Sequence, residues 1–285
     1  MQGQTNTVDS LRRVFYEGFV AQDLAEPLAS FDATADVDAV RTFMVDRPLT
    51  VVGIRRDGLV IGCIEQAAFD DRPVADQTIP LAETRIVPAT TPLHTVVTEL
   101  CERDYLLVST LAQPVGVIVR DDFEKPPMRM WLFGMVTLFE LILTRIVANH
   151  YQGDSWTQFV SEARIEKAVS LQNERQRRNQ SVRLLDCLQL GDKGQLLSRS
   201  EELRKTYWDK SRTQIKTTLG QVEGLRNNLA HSQPLVRENW DTIVRISATL
   251  DRFLEIPSEV ISPSSLSPYH SQLKPVGDVS DRESK

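Results

Sequence analysis

Cysteine is scarce in this chain of 285 residues, and the little present excludes two classes of fold. Cys63, Cys101 and Cys187 are odd in number, far apart and free of C-x-x-C spacing. That excludes a disulfide framework and a zinc cluster, and it fits a reducing cytoplasm, the expected location. Histidine is nearly as rare. None of His94, His150, His231 and His270 has a carboxylate or second histidine at metal-ligand spacing, so no metal site is expected. There is no G-x-x-x-x-G-K-[ST] loop and no G-x-S-x-G elbow. No basic, apolar, small-residue leader opens the sequence, so no secretory signal is expected. Long hydrophobic runs are missing save one, "MWLFGMVTLFELILTRIV" at 130–147. Glu140 and Arg145 interrupt it and a Pro-Pro pair precedes it. A membrane span needs about 20 mostly apolar residues with few charges, so a buried core helix and no membrane partner are expected.

What is present is ordinary for a soluble globular protein: 41% hydrophobic and 25% charged residues. The length suggests roughly two domains. The net charge of −6 is unevenly spread. Residues 1–125 carry −9, residues 126–256 carry +4, and the remainder carries −1. An anionic partner such as nucleic acid is therefore open to the second region only.

Residues 1–12 are polar and are expected to form a flexible arm. From 13 to 125, β-rich runs alternate with helical patterns. "PLTVVGIRRDGLVIGCIEQ" (48–66) reads as two strands, Thr50–Arg55 and Leu59–Glu65, around an Asp57-Gly58 turn. A weaker copy, "YLLVSTLAQPVGVIVRDDF", follows at 105–123, with Gly62 and Gly116 in the same place 54 residues apart. Each copy has a matching lead-in, "ASFDATADVDAVRTFM" (29–44) and "TRIVPATTPLHTVVTELCERD" (84–104). The unit strand, helix, strand, strand is thus repeated twice.

This tandem β-α-β-β pattern, closed by "VVGIRRDGLVIGCIEQ" and "VGVIVRDDF", resembles a CBS-domain pair (Bateman module). The resemblance implies an α/β disc with a cleft between copies, where an adenine nucleotide acts as regulatory ligand. Family copies end with Gly, two apolar residues, Ser or Thr, two free positions, then an Asp that engages ribose. In the second copy Gly116, Val117 and Asp122 match, with Val119 in the hydroxyl position. They are the nucleotide-binding candidates. In the first copy Gly62 is followed by Cys63, Ile64 and Glu65, and Ala68 stands in the Asp position. Asp122 also has a second reading, as a cap accepting a free backbone N–H after the strand.

Pro126-Pro127 ends the α/β region. Helical periodicity then dominates, with helices expected at 128–150, 155–176, 181–191, 197–231 and 235–255. The long 197–231 pattern invites a break near Gly220 or Gly224. The expected fold is an α/β tandem repeat followed by an all-α helical bundle over 126–256. The Ser- and Pro-rich residues 257–285 read as a disordered tail.

The stretch "LRNNLAHSQP" (225–234) ends a helix and carries Arg226, Asn227 and His231. A histidine in the last turn feels the negative end of the helix dipole, which suits it to proton transfer near neutral pH. Arg226 offers a planar donor fork for phosphate, and Asn227 can orient the imidazole. These are parts of a metal-free RNA cleavage site. Arg226 in an ion pair with Glu223, and His231 bonding the last helix carbonyls, is the other reading. Glu140 and Arg145 likewise read either as cleft residues or as a core ion pair. "RQRRNQ" (175–180) is a solvated basic helix face or an RNA backbone contact, with too few aromatics nearby to stack bases.

Arg-Asn-x-x-x-His at the end of a bundle helix resembles the HEPN domain. That resemblance implies a homodimer whose two motifs meet in one composite site, with Arg226 and His231 catalytic and Asn227 supporting. The implied activity is metal-independent endoribonuclease, with RNA as substrate, no catalytic cofactor, and a neutralising protein partner if it is a toxin or antiviral effector. The alternative is a non-catalytic nucleotide sensor with a dimerising helical bundle.

Overall fold

The computed structural model describes residues 7–231, 233–235 and 240–256. Helix α1 (Thr7–Arg12), in the stretch expected to form an arm, runs into a π-helical turn at Arg13–Glu17. Residues 1–6 and the expected tail at 257–285 lie outside the described residues. A two-residue strand, β1 (Glu26–Pro27), leads to the first copy: β2 (Ser30–Asp32), α2 (Val37–Asp46), β3 (Val51–Arg56) and β4 (Leu59–Glu65). Asp36 caps α2 by accepting from Ala39 N at 3.0 Å. Strand β5 (Ile79–Pro80) then leads to the second copy: β6 (Ile86–Pro88), α3 (Leu93–Glu99), β7 (Tyr105–Thr110) and β8 (Gln113–Val119).

The two copies match in detail. β2 runs parallel to β3 and β3 antiparallel to β4, as β6 does to β7 and β7 to β8. The register slips between Ile54 and Arg55 in the first copy and between Val108 and Ser109 in the second, 54 residues on. The sheet orders are β2-β3-β4-β5 and β1-β8-β7-β6. Each edge strand therefore closes the sheet of a copy it does not lead into. Pro80 lies opposite Gly62, and Pro27 opposite Gly116. Proline cannot donate to a ladder and belongs on such edges. The crossing is close enough to explain the glycines: a Cβ at Gly62 would fall within 2.3 Å of the Ile79 carbonyl oxygen.

Helix α4 (Pro126–His150) follows without a linker, its prolines in the first turn, where a missing N–H costs nothing. By length and composition it could cross a membrane, but 67% of its most apolar window is buried inside the protein. It forms the spine of a bundle completed by α5 (Glu162–Arg177), α6 (Leu190–Arg199), α7 (Glu201–Tyr207), α8 (Arg212–Ala230) and α9 (Trp240–Leu254). Phe139 of α4, Trp208 and Phe253 of α9 meet edge to face with centroids 4.9–6.0 Å apart. The helix expected over 197–231 is three helices. It breaks at Ser200 and Ser211, whose hydroxyls cap the N–H groups of Leu203 and Gln214, while Gly220 and Gly224 sit unbroken inside α8. The expected helix at 181–191 is a short 3-10 turn (Leu184–Cys187) before α6, and residues 236–239 of the last expected helix lie outside the described residues.

The first copy has its own small core around Val40, Met44, Val52 and Ile54. The second copy shares one continuous core with the bundle, from Leu93 and Ile118 through Trp131 to Leu250. Between the copies lies a small apolar seam, in which Val51, Cys63 and Leu107 are buried and Leu28, Ile79, Tyr105 and Val117 are among the partly buried residues packed on them. The architecture is thus an α/β tandem β-α-β-β repeat followed by an all-α bundle, with the bundle fused to the second copy.

Candidate functional site

Where the two copies face each other, a polar cleft of about 360 Å³ opens. The first copy contributes Thr50 and the end of β4, Glu65 to Ala67. The second contributes Arg85, Glu102, Arg103, Asp104 and Tyr105, and the crossover segment adds Ile79, Glu83 and Thr84. The Tyr105 hydroxyl donates to Glu65 Oε1 at 2.8 Å and stands 3.4 Å from Cys63 Sγ. Burial first, then these two neighbours, push the Tyr105 phenol far above its ordinary pKa. Burial likewise raises the Cys63 thiol, so neither group is an acid or nucleophile near neutrality.

Carboxylates outnumber cations in this cleft: Glu65, Glu83, Glu102 and Asp104 against Arg85 and Arg103. Arg85 is already clamped on Glu99 through both Nε, at 2.7 Å, and Nη2. The lining can accept hydrogen bonds from hydroxyls and amines at several points, and it offers the guanidinium of Arg103, which has no ion pair within 4 Å among the described residues and acts on Glu99 at longer range.

The nucleotide candidates from the sequence do not converge there. Gly116 borders a separate hollow of about 220 Å³ beside β1. Val117 packs into the seam between copies. Asp122 is buried, and both its oxygens are engaged: Oδ2 accepts from Val119 N at 2.7 Å, and Oδ1 meets Lys125 Nζ at 2.8 Å. Lys125 also pairs with Glu26 and donates to the Leu24 carbonyl, locking the entry to α4 onto β1. At the place that Gln66 holds in the first copy, Arg120 donates to the Leu100 and Arg103 carbonyls at 3.3 and 3.1 Å. The open end of the repeat is therefore the first copy's. Sequence reasoning passed over Glu65, Arg103 and Tyr105. The only signal for them was positional: Glu65 fills the family's hydroxyl position, and Tyr105 opens the strand equivalent to β3.

The second candidate site lies at the end of α8. Arg226, Asn227 and His231 are all exposed. Among the described residues no side-chain hydrogen bond or ion pair engages Arg226 or His231. Glu223, the expected partner of Arg226, instead accepts from Gly191 N at 2.8 Å. His231 is the C-cap residue, its N–H bonded to the Asn227 carbonyl at 3.0 Å. The helix end itself is fixed. Arg129 of α4 donates to the carbonyls of Asn228 and Gln233 at 3.1 and 3.0 Å, and Glu124 accepts from Leu235 N at 2.6 Å. Arg226 and His231 are five positions apart, so they point about 140° apart around the axis and do not form one site on a single helix. Glu140 turns inward, and its Oε1 meets the buried Lys193 Nζ at 3.0 Å.

No protein-family model matches the chain. No curated protein matches it either. Solved structures that align with part of it include an uncharacterized conserved protein from Pyrococcus horikoshii, at 16% identity over 38% of this chain and 90% of that one, TM-score 0.34. The CBS-pair protein CBSX2 of Arabidopsis thaliana, in complex with AMP, aligns at 17% identity over 37% of this chain and 92% of its own, TM-score 0.33. The CBS domain of a bacterial CNNM/CorC family Mg2+ transporter, in complex with ATP, aligns at 14% identity over 40% and 90%, TM-score 0.33.

Proposed function

We propose that the tandem repeat is a CBS-type sensor for a small adenine nucleotide and that the bundle carries its signal. The observation that supports this most is the polar cleft between the copies, lined by both of them and by the crossover strand. A ligand there would draw on the thin seam between the copies, since the second copy is welded to the bundle by a common core. Arg120 supplies a route onward: its guanidinium touches the Arg103 loop on one side and lies 5.5 Å from the Trp240 ring of α9 on the other. A ligand changes the bundle only if it binds two arrangements with different affinity. With carboxylates in excess, AMP is favoured over ATP, because each added phosphate meets more like charge. Calorimetry with AMP, ADP, ATP and S-adenosylmethionine tests the reading. Heat with AMP that is lost in Arg103→Glu is expected. No heat and no thermal shift with any of the four would leave the repeat as a scaffold.

A second reading, a metal-independent ribonuclease acting as a homodimer, is favoured by the exposed and unengaged Arg226 and His231 on a firmly held helix end. Two copies of the motif meeting across a two-fold axis would overcome the 140° separation. A neutralising protein partner belongs to this reading alone. RNA cleavage in EDTA that disappears in His231→Ala is expected of it, and equal cleavage by both proteins removes it.

A further inference from the structure

The tip of the β7–β8 hairpin has no role in either reading. In a chain that is 25% charged, residues 86–98 and 105–119, which build much of the second copy, contain no Asp, Glu, Lys or Arg. The matching tip of the first copy carries Arg55, Arg56 and Asp57, so the repeat itself does not require the lack of charge. The uncharged residues at this end are not hidden: Pro88, Thr90, Thr110, Leu111, Ala112 and Val115 are all exposed. An exposed face depleted of charge has the composition of an interface core.

The face carries both a projection and a hollow. Leu111 is 95% exposed, and it and Ala112 hold φ of 51° and 62°, where neither side chain is favoured. Nothing among the described residues packs on the leucine to offset that strain, and strain kept without a local return points to a function. One residue earlier, Thr110 lines the hollow beside β1 together with Ala25, Pro27, Ala89, Val108 and Val115. The one charged residue of that hollow, Glu26, is already paired with Lys125. At about 220 Å³ the hollow is smaller than small-molecule sites, which run from about 300 to 1,000 Å³, and it suits a single apolar side chain.

A projecting leucine and a hollow side by side on one hairpin tip complement the same tip turned through 180°. Such a contact is isologous: it closes a pair and leaves nothing to polymerise. A foreign partner would account for the projection or for the hollow, whereas a second copy accounts for both. The lack of charge fits the same occupant, because an uncharged face meets its own copy without repulsion. We propose that the tip of the β7–β8 hairpin is a two-fold contact between copies of this chain, with Leu111 of each seated in the hollow beside β1 of the other. The contact stands whether or not the cleft binds a nucleotide and whether or not the end of α8 cleaves RNA.

Sedimentation velocity of the full chain from about 2 to about 200 µM, in low and high salt, tests it. Wild type is expected to pass from monomer to dimer over that range, and no less readily in high salt, because no charge pair holds the contact. Leu111→Asp is expected to weaken the dimer at least about tenfold, since two leucine side chains leave the interface at once. Aspartate tolerates the left-handed turn and the position is exposed, so the protomer is expected to keep its melting temperature at low concentration. Leu59→Asp, at the 55% exposed leucine of the first copy's hairpin, is expected to leave the dimer within about twofold. An oxidised mixture of Leu111→Cys and Val115→Cys chains is expected to yield more cross-linked dimer than either chain alone. A wild type that stays monomeric at the highest concentration would overturn the proposal and leave the face to another partner. So would a dimer that persists in Leu111→Asp, which would place the contact elsewhere, equal weakening by Leu59→Asp, or a dimer in which the mixed pair gives no extra cross-link.

Discussion

Tyr105 donates its phenolic hydrogen to Glu65 Oε1 at 2.8 Å, tying the first residue of β7 to the last residue of β4 across the seam between the copies. A hydrogen bond to a charged, half-buried acceptor contributes about 1.5–3 kcal/mol. Tyr105→Phe keeps the ring and removes only the donor. It is expected to lower stability by about 1–3 kcal/mol in urea melts, with no change in the bundle's near-UV signal. An unchanged midpoint would mean that the two carboxylate oxygens are satisfied by solvent alone.

The two hairpins differ in one respect that bears on stability. The first turns through Asp57 and Gly58, at φ 52° and 80°, residue types that tolerate the left-handed region. The second makes the same turn with Leu111 and Ala112, at φ 51° and 62°. Each ordinary side chain held there costs about 1–2 kcal/mol. Leu111 is also almost fully exposed, so no packing offsets that cost. Leu111→Asn/Ala112→Gly is expected to raise stability by about 1–3 kcal/mol, read as a higher melting temperature. A lower one would show that the turn is held by something other than backbone preference.

That difference also marks how far the sequence could be read. The first hairpin was visible because Asp-Gly is a strong turn signal, and the second because Gly116 repeats Gly62 at the same spacing. The helical periodicity after Pro127 located the bundle. The edge strands β1 and β5 were invisible: each is two residues long and contains a proline, and each owes its existence to the opposite glycine. Serine caps at Ser200 and Ser211 outweighed glycine as helix breaks, because a cap satisfies N–H groups whereas an interior glycine only weakens a helix that packing retains. The binding candidates at Gly116, Val117 and Asp122 followed a local motif. Which copy's end stays open depends on Arg120 and Lys125 filling the other, and no local pattern encodes that.

Glu140 and the almost fully buried Lys193 form an ion pair at 3.0 Å between α4 and α6. The sequence placed Glu140 near Arg145, five positions along its own helix. The partner shown comes from another helix: Lys193 of α6, 3% exposed, reaches Glu140 across the α4–α6 contact. Removing one member of such a pair strands the other charge, at a cost of about 3–5 kcal/mol. Glu140→Leu is therefore expected to destabilise by that amount, and Glu140→Leu/Lys193→Met to recover most of it. A double variant no more stable than the single one would show that the pair also organises the bundle.

A cluster of titratable groups where α9 meets the α/β repeat gives the fold a pH dependence whose sign follows from burial. Asp251 is pushed up to about 7, first by burial and then by the Glu255 carboxylate, and its Oδ1 is buried without a partner among the described residues. Across the junction His94 is stacked on Tyr16 at 4.2 Å, and burial holds its pKa below the ordinary value. Because the folded Asp251 keeps its proton longer than the unfolded one, its contribution is complete below about pH 4 and is lost as pH rises toward 7. His94 acts in the opposite sense: the folded state excludes its proton, so stability is lost as pH falls below about 6.5. The two slopes oppose each other, and single variants separate them. Asp251→Asn is expected to remove the loss on going from pH 5 to pH 8, a gain over wild type at pH 8 on the order of 1–3 kcal/mol once partial exposure is allowed for. His94→Gln is expected to steepen the same loss, because the opposing group is gone. Melting curves from pH 4.5 to 8 decide the matter: a wild-type-to-Asp251→Asn difference that stays constant across that range would place the carboxylate in solvent, not in the junction.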